Sequence, residues 1–337
     1  MPPSNEGCRV ASPKISVIIP VHNESANIDP LCDALVPVLN RITSIWEVVF
    51  VDDGSEDDTF ARIRTRSQAE PRIGAVAFSR NFGKEIAIAA GLDHARGEAV
   101  VIMDADLQHP PEMIETFVER WQEGYLMVYG QRTDRSDETR IKRGFAHLFY
   151  RMFSTFGEVD LPEGAGDFRL IDRKGVEVLR MMGEKARFSK GLYAWIGFKH
   201  IGVPFVVQDR KYGQSSWSFR RLFRFAFDGI ASFSSVPLRV WTYLGTLISI
   251  CSIVTAVYFA IRTMIYGTDL PGFPSLIVSV MFFSGIQLMS LGVIGEYIGR
   301  IFSEVKRRPL YVVSERIGGA AEVSKSLVND SYPLRRS

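Results

Sequence analysis

Cysteine is scarce in this chain: Cys8, Cys32 and Cys251 are the only three, far apart, and their spacing matches neither a zinc pattern nor a disulfide framework. They read as free thiols. No Walker A loop is present. The turn that ends the first apolar run, Pro20-Val21-His22-Asn23-Glu24, has no glycine, which removes the dinucleotide fingerprint that an alternating α/β chain would otherwise invite. Charge of one sign is also missing. A net charge of +2 over 337 residues excludes a globally basic nucleic-acid binder, and no nucleic-acid partner is expected. The opening stretch MPPSNEGCRVASPK lacks a long apolar core, so it is neither a secretory signal nor a transit peptide, and the first strand is expected to stay where it is synthesised.

Long apolar runs are present, but only late in the chain. Val240 to Ile261 and Ser275 to Gly295 are runs of about twenty residues without charge, long enough to cross a hydrocarbon core of roughly 30 Å. Both contain Gly and Ser, and the second carries Gln287, residue types that pack and hydrogen-bond between membrane helices. Arg220, Arg221, Arg224 and Arg239 precede the first run, and Arg300, Lys306, Arg307 and Arg308 follow the second; the link from Arg262 to Pro274 has one basic residue. The positive-inside rule places both flanks in the cytoplasm and the short link outside, in a multi-pass plasma (inner) membrane protein. Two spans per chain pack better against neighbours, which leaves room for a homo-oligomer.

The first half alternates strands with helix-length segments. Ile15–Ile19, Glu47–Val51, Gly74–Phe78 and Ala99–Met103 are apolar runs, and the segments between them have the length of crossover connections. An α/β fold with an open, mostly parallel sheet follows. In such sheets ligands bind beyond the carboxyl ends of the strands, where this chain puts PVHNE, DDGS and DADLQ. In extended chain Asp104, Asp106 and Gln108 of DADLQHP fall on one side of the sheet edge. Two carboxylates and an amide converging there suit a hard divalent ion, Mg2+ or Mn2+, which takes phosphate oxygens from a substrate as further ligands. The other reading of the same residues is a solvated acidic turn before a helix starting at Pro110-Pro111-Glu112. For Asp52 and Asp53 the rival reading is an Asx-type turn.

SVIIPVHNE, VVFVDDGSEDDT, FSRNFGKEIAIAAGLDHARGE and DADLQHPPE resemble, in order and spacing, glycosyltransferase family 2, whose nucleotide-sugar-binding fold is called GT-A. The later segments GDFRL, KYGQSSW and GEYIGRIFSEVKRRPLYVV resemble its polyprenyl-phosphate (bactoprenol) glucosyltransferase branch, related to dolichyl-phosphate mannose synthase. The resemblance runs from Ile15 to Val313. It implies a membrane-bound inverting enzyme that moves one hexose from a nucleotide sugar, UDP-glucose before GDP-sugars, to polyprenyl phosphate. It also implies a nucleoside site of Pro20, Asn23, Glu24 and Asp53, with Lys84 at the diphosphate and Asp104 near ribose and sugar. Asp106 and Gln108 would hold the ion. His22 departs from the aromatic residue more usual at its position. Arg132, Arg143 and Lys211 are the choices for the acceptor phosphate. Asp167, in GDFRL, sits where related enzymes are thought to place a catalytic carboxylate, beside Asp104 and Asp106; it either orients the acceptor or pairs with Arg169.

The expected organisation is a tail at 1–14, a catalytic domain at 15–215, juxtamembrane amphipathic helices at 216–238, two membrane helices with a short external loop at 239–302, and a cytoplasmic tail at 303–337 that is mobile beyond Val313. Residues Lys211 to Ser218 read as a closing loop. Phe219, Phe223 and Phe227 share one helix face beside Arg220, Arg221 and Arg224, as in a helix lying in the anionic membrane surface. Two other readings remain open here. A processive polysaccharide synthase would carry a QxxRW-type motif, which Gln208-Asp209-Arg210-Lys211-Tyr212 does not fit. A scaffold that senses nucleotide sugars without chemistry would bind a donor and not turn it over.

Overall fold

The computed structural model describes residues 14–132, 165–184, 189–205, 272–306 and 308–318, with scattered positions between 245 and 266. Eight strands form one sheet in the order β7-β5-β6-β4-β1-β2-β3-β8. Its centre is the parallel set β1 (Ile15–Val21), β2 (Trp46–Asp52), β3 (Ile73–Phe78) and β4 (Ala99–Ile102). These strands are apolar almost throughout because helices cover both sheet faces, so neither face can be polar. On one side α1 (Ser25–Ile42) and α4 (Met113–Gln122) supply Ile28, Leu31, Leu35 and Phe117 against Val17, Ile19, Val48 and Phe50. On the other, α3 (Lys84–His94), α5 (Arg173–Met181) and α6 (Ser189–Trp195) supply Ala87, Ile88, Val176 and Leu192 against Ile18, Val49, Val51 and Val100. Helix α2 (Thr59–Ala69) packs beside α1 and shows little but Thr59 and Ile63 to the core.

The sheet is more mixed than the sequence pattern predicts. Strand β6 (Ala165–Asp172) runs antiparallel between β4 and β5 (Met127–Arg132), and β7 (His200–Phe205) extends the sheet parallel to β5. The expectation of a mobile tail beyond Val313 is overturned at its start: Val313–Ile317 is β8, antiparallel to β3 at the sheet edge. Polar though it is, this strand satisfies the backbone groups that β3 would otherwise leave open.

Strand order explains where a ligand crevice must lie. The chain steps from β1 through β2 to β3 on one side, then crosses back to β4 on the other, so the switch point falls between β1 and β4. Pro20 widens it. Ile18 accepts from Met103 N at 3.1 Å, so even-numbered residues of β1 face β4; two residues on, Pro20 has no N–H to offer there, and the β1–β4 ladder stops at Ile18–Ile102.

Cys32 is buried and free, and Cys251 is exposed and free, in accord with the thiol reading. Every described residue between Gly245 and Tyr266 is helical. Helix α7 (Phe273–Val305) has 33 residues and runs past the predicted end of the second span at residue 302. Most of its described large apolar side chains, among them Leu276, Phe282, Leu288 and Ile298, are exposed. Among the described residues no helix is long and apolar enough to cross a membrane; side chains such as those of Ile277 and Met281 lie outside them. The predicted juxtamembrane helices, the closing loop, Arg143 and Lys211 also lie outside the described residues.

Candidate functional site

Antiparallel register brings two distant carboxylates together. Ile102 of β4 lies opposite Arg169 of β6, and carrying that register two residues onward sets Asp104 opposite Asp167. Lys84, the first residue of α3, closes the gap: its Nζ lies 2.7 Å from Asp104 Oδ1 and 2.8 Å from Asp167 Oδ2. Burial works to lower the Lys84 pKa, but the charges of Asp104 and Asp167 outweigh it and hold the ammonium well above its ordinary range. For Asp167, burial pushes upward, and the charges of Lys84 and Lys190 overcome it to hold the carboxyl well below the usual range. The group is a built ionic cluster at the switch point, with one positive charge against two negative ones. The sequence-based alternative of an Asp167–Arg169 pair is corrected. Arg169 is buried in β6, donates to Gly166 O and lies 3.7 Å over the Tyr193 ring, while Asp167 is engaged by Lys84.

Lys84 owes its position to Asp53. Both oxygens of that buried carboxylate accept from backbone, Phe82 N at 2.6 Å and Gly83 N at 2.8 Å, fixing the loop that opens α3. Burial raises the Asp53 pKa against the pull of these two N–H groups. Asp52 caps its own turn instead, accepting from Ser55 N and Ser55 Oγ, so the Asx-type reading of DDGS holds for Asp52. Gly54 has φ +67°, which glycine adopts freely, and nothing larger fits there: an added Cβ would come within 2.4 Å of Arg80 C.

Asn23 and Glu24 tie the end of β1 to the β2–α2 loop. Asn23, at φ 56°, accepts from Glu56 N at 2.9 Å through its side chain and donates its backbone N–H to Ser55 Oγ. Glu24 N donates to Thr59 Oγ1, and the Glu24 carboxylate accepts from Asn27 Nδ2 at 2.6 Å. His22 is exposed on the same rim. Pro20, Asn23 and Glu24 at the end of β1, Asp53 after β2, Lys84 after β3 and Asp104 after β4 thus all lie at the carboxyl ends of the parallel strands. Arg132 ends β5, opposite Phe205 on the neighbouring strand.

The geometry of DADLQHP differs from the extended spacing expected of it. β4 ends at Ile102, and Leu107 turns to φ 59°. Ala105 and Leu107 are drawn into the core, and Gln108 N donates to Asp106 Oδ1 at 3.2 Å. Burying two apolar side chains across a tight turn outweighs continuing the strand, and Asp104 is left paired with Lys84. Asp106 itself is 8 % exposed. Among the described residues no three His, Cys, Asp or Glu side chains form a ready-made metal cage. One carboxylate and one amide are nonetheless a fitting donor set for a hard cation that takes its remaining ligands from a substrate diphosphate and water.

Several residues here were passed over in the sequence. His109 stacks on Phe168, centroids 4.8 Å apart at 17°, and meets Phe205 edge-on, which fastens the acidic turn to β6 and β7. Burial lowers the His109 pKa, against the upward pull of Asp104 and Asp106. Glu85 accepts from Ser189 N and Ser189 Oγ, holding the start of α6 beside the cluster; burial and the Asp167 charge raise its pKa. The only advance signals were the place of His109 within DADLQHP and of Glu85 within FSRNFGKEIAIAAGLDHARGE; for Ser189 there was none.

Residues 16–180 match the model of glycosyl transferase family 2. The uncharacterized glycosyltransferase sll0501 of Synechocystis sp. is 46% identical over 90% of this chain and 96% of its own length. A prophage-derived bactoprenol glucosyl transferase of Shigella flexneri is 40% identical over 90% of this chain and 98% of its own length. Among solved structures, a mannosyltransferase from Pyrobaculum calidifontis in complex with GDP-Man and Mn2+ is 19% identical, covering 96% of this chain and 82% of that chain at a TM-score of 0.43. At 46% identity across nearly the whole of a glycosyltransferase, with the family model over the parallel core, this chain belongs to glycosyl transferase family 2.

Proposed function

We propose that this protein transfers a single glucose from UDP-glucose to polyprenyl phosphate, inverting the anomeric centre, at the cytoplasmic face of a membrane that its C-terminal helices span. One observation carries the reading: Lys84, Asp104 and Asp167 converge at the sheet's switch point, beside Asp106 and Gln108. The near end-to-end similarity to a bactoprenol glucosyl transferase supports the choice of donor sugar and lipid.

Each residue then has a task that its surroundings support. Asn23, Glu24 and Asp53 border the nucleoside pocket, Asp53 by fixing the loop before α3. Lys84 exchanges part of its contact with Asp104 for the donor diphosphate, a swap of one anion for another that keeps the ammonium paired. Asp106 and Gln108 would hold Mg2+ or Mn2+, which when bound offsets the charge growing on the leaving diphosphate. Asp167 is an orienting group rather than a base, since its depressed pKa makes it a poor proton acceptor. No base is needed, because a phosphate monoester with its second pKa near 6 is already ionised at neutral pH. Arg132, together with Arg143 and Lys211, balances the acceptor phosphate.

The uncharged part of α7, Phe273 to Gly295, has 23 residues by its numbering and spans about 34 Å as a helix, near the roughly 30 Å of a hydrocarbon core. Its exposed apolar side chains suit lipid.

Purified protein with Mn2+, radiolabelled UDP-glucose and undecaprenyl phosphate should yield organic-extractable label of one hexose per lipid. Absence of label with every UDP- and GDP-sugar, or a polymeric product, refutes the reading. Asp106→Asn should cut transfer at least about a hundredfold with the melting temperature kept, in the range seen when one charge-stabilising group is lost.

A further inference from the structure

Strand β8 lies at the sheet edge, yet its contacts lead inward to the crevice. Just before it, Tyr311 stacks on Phe78, the last residue of β3, with centroids 5.0 Å apart at 22°. Its hydroxyl donates to Asp93 Oδ2 at 3.0 Å, on the far end of α3. Val312 O accepts from Ser79 N at 2.9 Å, and Ser314 Oγ donates to Ala77 O at 3.1 Å. Phe78 in turn meets Phe82 edge-on at 5.6 Å, and Phe82 N is one of the two donors to Asp53. An unbroken line of contacts therefore runs from Tyr311 through Phe78 and Phe82 to Asp53 and the first turn of α3, where Lys84 sits.

We propose that Tyr311 is a positioning residue for the donor site: the segment 311–317 is a strap that returns from α7 to set the Phe82–Gly83 loop, and so Lys84, in place. The proposal rests on the reading that this crevice binds a nucleoside diphosphate. Two further facts support it. The register shift in the β3–β8 ladder falls where the strap meets the loop: the one step from Ala77 to Phe78 is matched by two on β8, from Glu315 to Val313, so Ser314 is the extra residue and the strap is the strand that bends there. And the strap is short: Val305, the end of α7, and Tyr311 are six residues apart in the sequence, a reach of at most about 22 Å. The edge of the donor site therefore stays within that reach of the end of α7.

The test is UDP binding in the presence of Mn2+, measured by calorimetry on full-length protein in detergent. Tyr311→Ala should weaken UDP binding about five-fold, the worth of one aromatic stack. Tyr311→Phe keeps the ring and loses only the bond to Asp93, and should stay within about two-fold of the unsubstituted protein, the scale of one net hydrogen bond at the low end of its range. Gly318→Ala is the control: at φ +65°, an added Cβ there would meet Ile73 O at 2.6 Å, so it loosens the far end of the strap and lowers the melting temperature. Its UDP affinity should nevertheless hold. Unchanged UDP binding by Tyr311→Ala overturns the proposal, as does an equal loss in Gly318→Ala, which would mark general undocking of the strand. If the unsubstituted protein binds neither UDP nor GDP with Mn2+, the functional reading falls and this inference with it; in the other outcomes that reading stands.

Discussion

Lys84→Met keeps a side chain of similar length and removes the charge that separates two carboxylates. Asp104 Oδ1 and Asp167 Oδ2 lie 2.7 and 2.8 Å from the same nitrogen, so they are at most 5.5 Å apart, the sum of the two distances. Two bare charges at that separation repel by about 3 kcal/mol at an effective dielectric of about 20. With side chains 26% and 21% exposed, solvent screening trims the cost to about 1 to 2 kcal/mol, or about one pKa unit. The sign of the pH dependence then reverses between the two proteins. In the unsubstituted protein Asp167 is held below its ordinary range, so its stabilising contribution is full above that range and fades only as pH falls through the depressed value. In Lys84→Met the attraction from Lys84 is gone while burial and repulsion remain, so one carboxyl of the pair titrates above its ordinary range. The variant is penalised at neutral pH and recovers as pH falls through the raised value. Thermal melts of full-length protein in EDTA, from pH 8 to 4.5, should show the widest gap between the two proteins at neutral pH and a narrowing gap in mild acid. Added Mn2+ should stabilise the variant more than the unsubstituted protein, since the ion meets an unneutralised pair. A gap independent of pH, or one that widens in acid, refutes the cluster as described.

Asp53→Asn leaves the shape but replaces one acceptor oxygen by an NH2 facing a backbone N–H; the loss of about 1 to 3 kcal/mol should appear as a lower melting temperature together with a raised KM for the donor. Phe168→Ala removes a fully buried ring on which both Phe117 and His109 pack, at 4.7 and 4.8 Å, and should cost about 3 to 5 kcal/mol of stability in urea titration. Gly54→Val combines a left-handed backbone with a collision against Arg80; a loss of about 1 to 3 kcal/mol or more is expected, and a melting temperature equal to that of the unsubstituted protein would contradict the loop geometry.

The parallel core was legible in the sequence because strands buried on both faces have to be apolar throughout; the four predicted runs match β1 to β4 to within one or two residues at each end. The polar clusters were legible for the complementary reason that a parallel sheet collects ligand groups at one edge. What could not be read was register across long separations. Nothing local to GDFRL says that Asp167 will stand opposite Asp104; that follows from the antiparallel pairing of β6 with β4, formed only when the chain returns to the centre of the sheet. Strand β8 was missed for the same reason. Ser314 finds Ala77 across 237 residues, and VSERI alone has too little apolar character to look like a strand. The extended reading of DADLQHP failed because the pull of the core on Ala105 and Leu107 decided the backbone path, not the spacing of the carboxylates.

The charge arrangement also bears on why an antiparallel strand sits inside an otherwise parallel centre. Transfer between two phosphates asks the protein to bring anions together, and a crevice lined only by the carboxylates that follow β1, β2 and β4 (Glu24, Asp53, Asp104 and Asp106) would repel both. Placing β6 beside β4 adds a further carboxylate, Asp167, which would worsen matters but for the company it keeps. β6 carries Asp167 up against Lys84, and α6, which follows it in the chain, brings Lys190 close enough to help hold Asp167 ionised. The acidic side chains thereby serve to hold the Lys84 ammonium at the crevice, fully charged, at any pH where the phosphates are ionised. A lysine presented to water alone would lose far more rotamer freedom on meeting a diphosphate than one already fixed between two carboxylates. On this account Asp104 and Asp167 act on catalysis through Lys84, and an alanine at either position should free the lysine rather than strip the site of a proton acceptor.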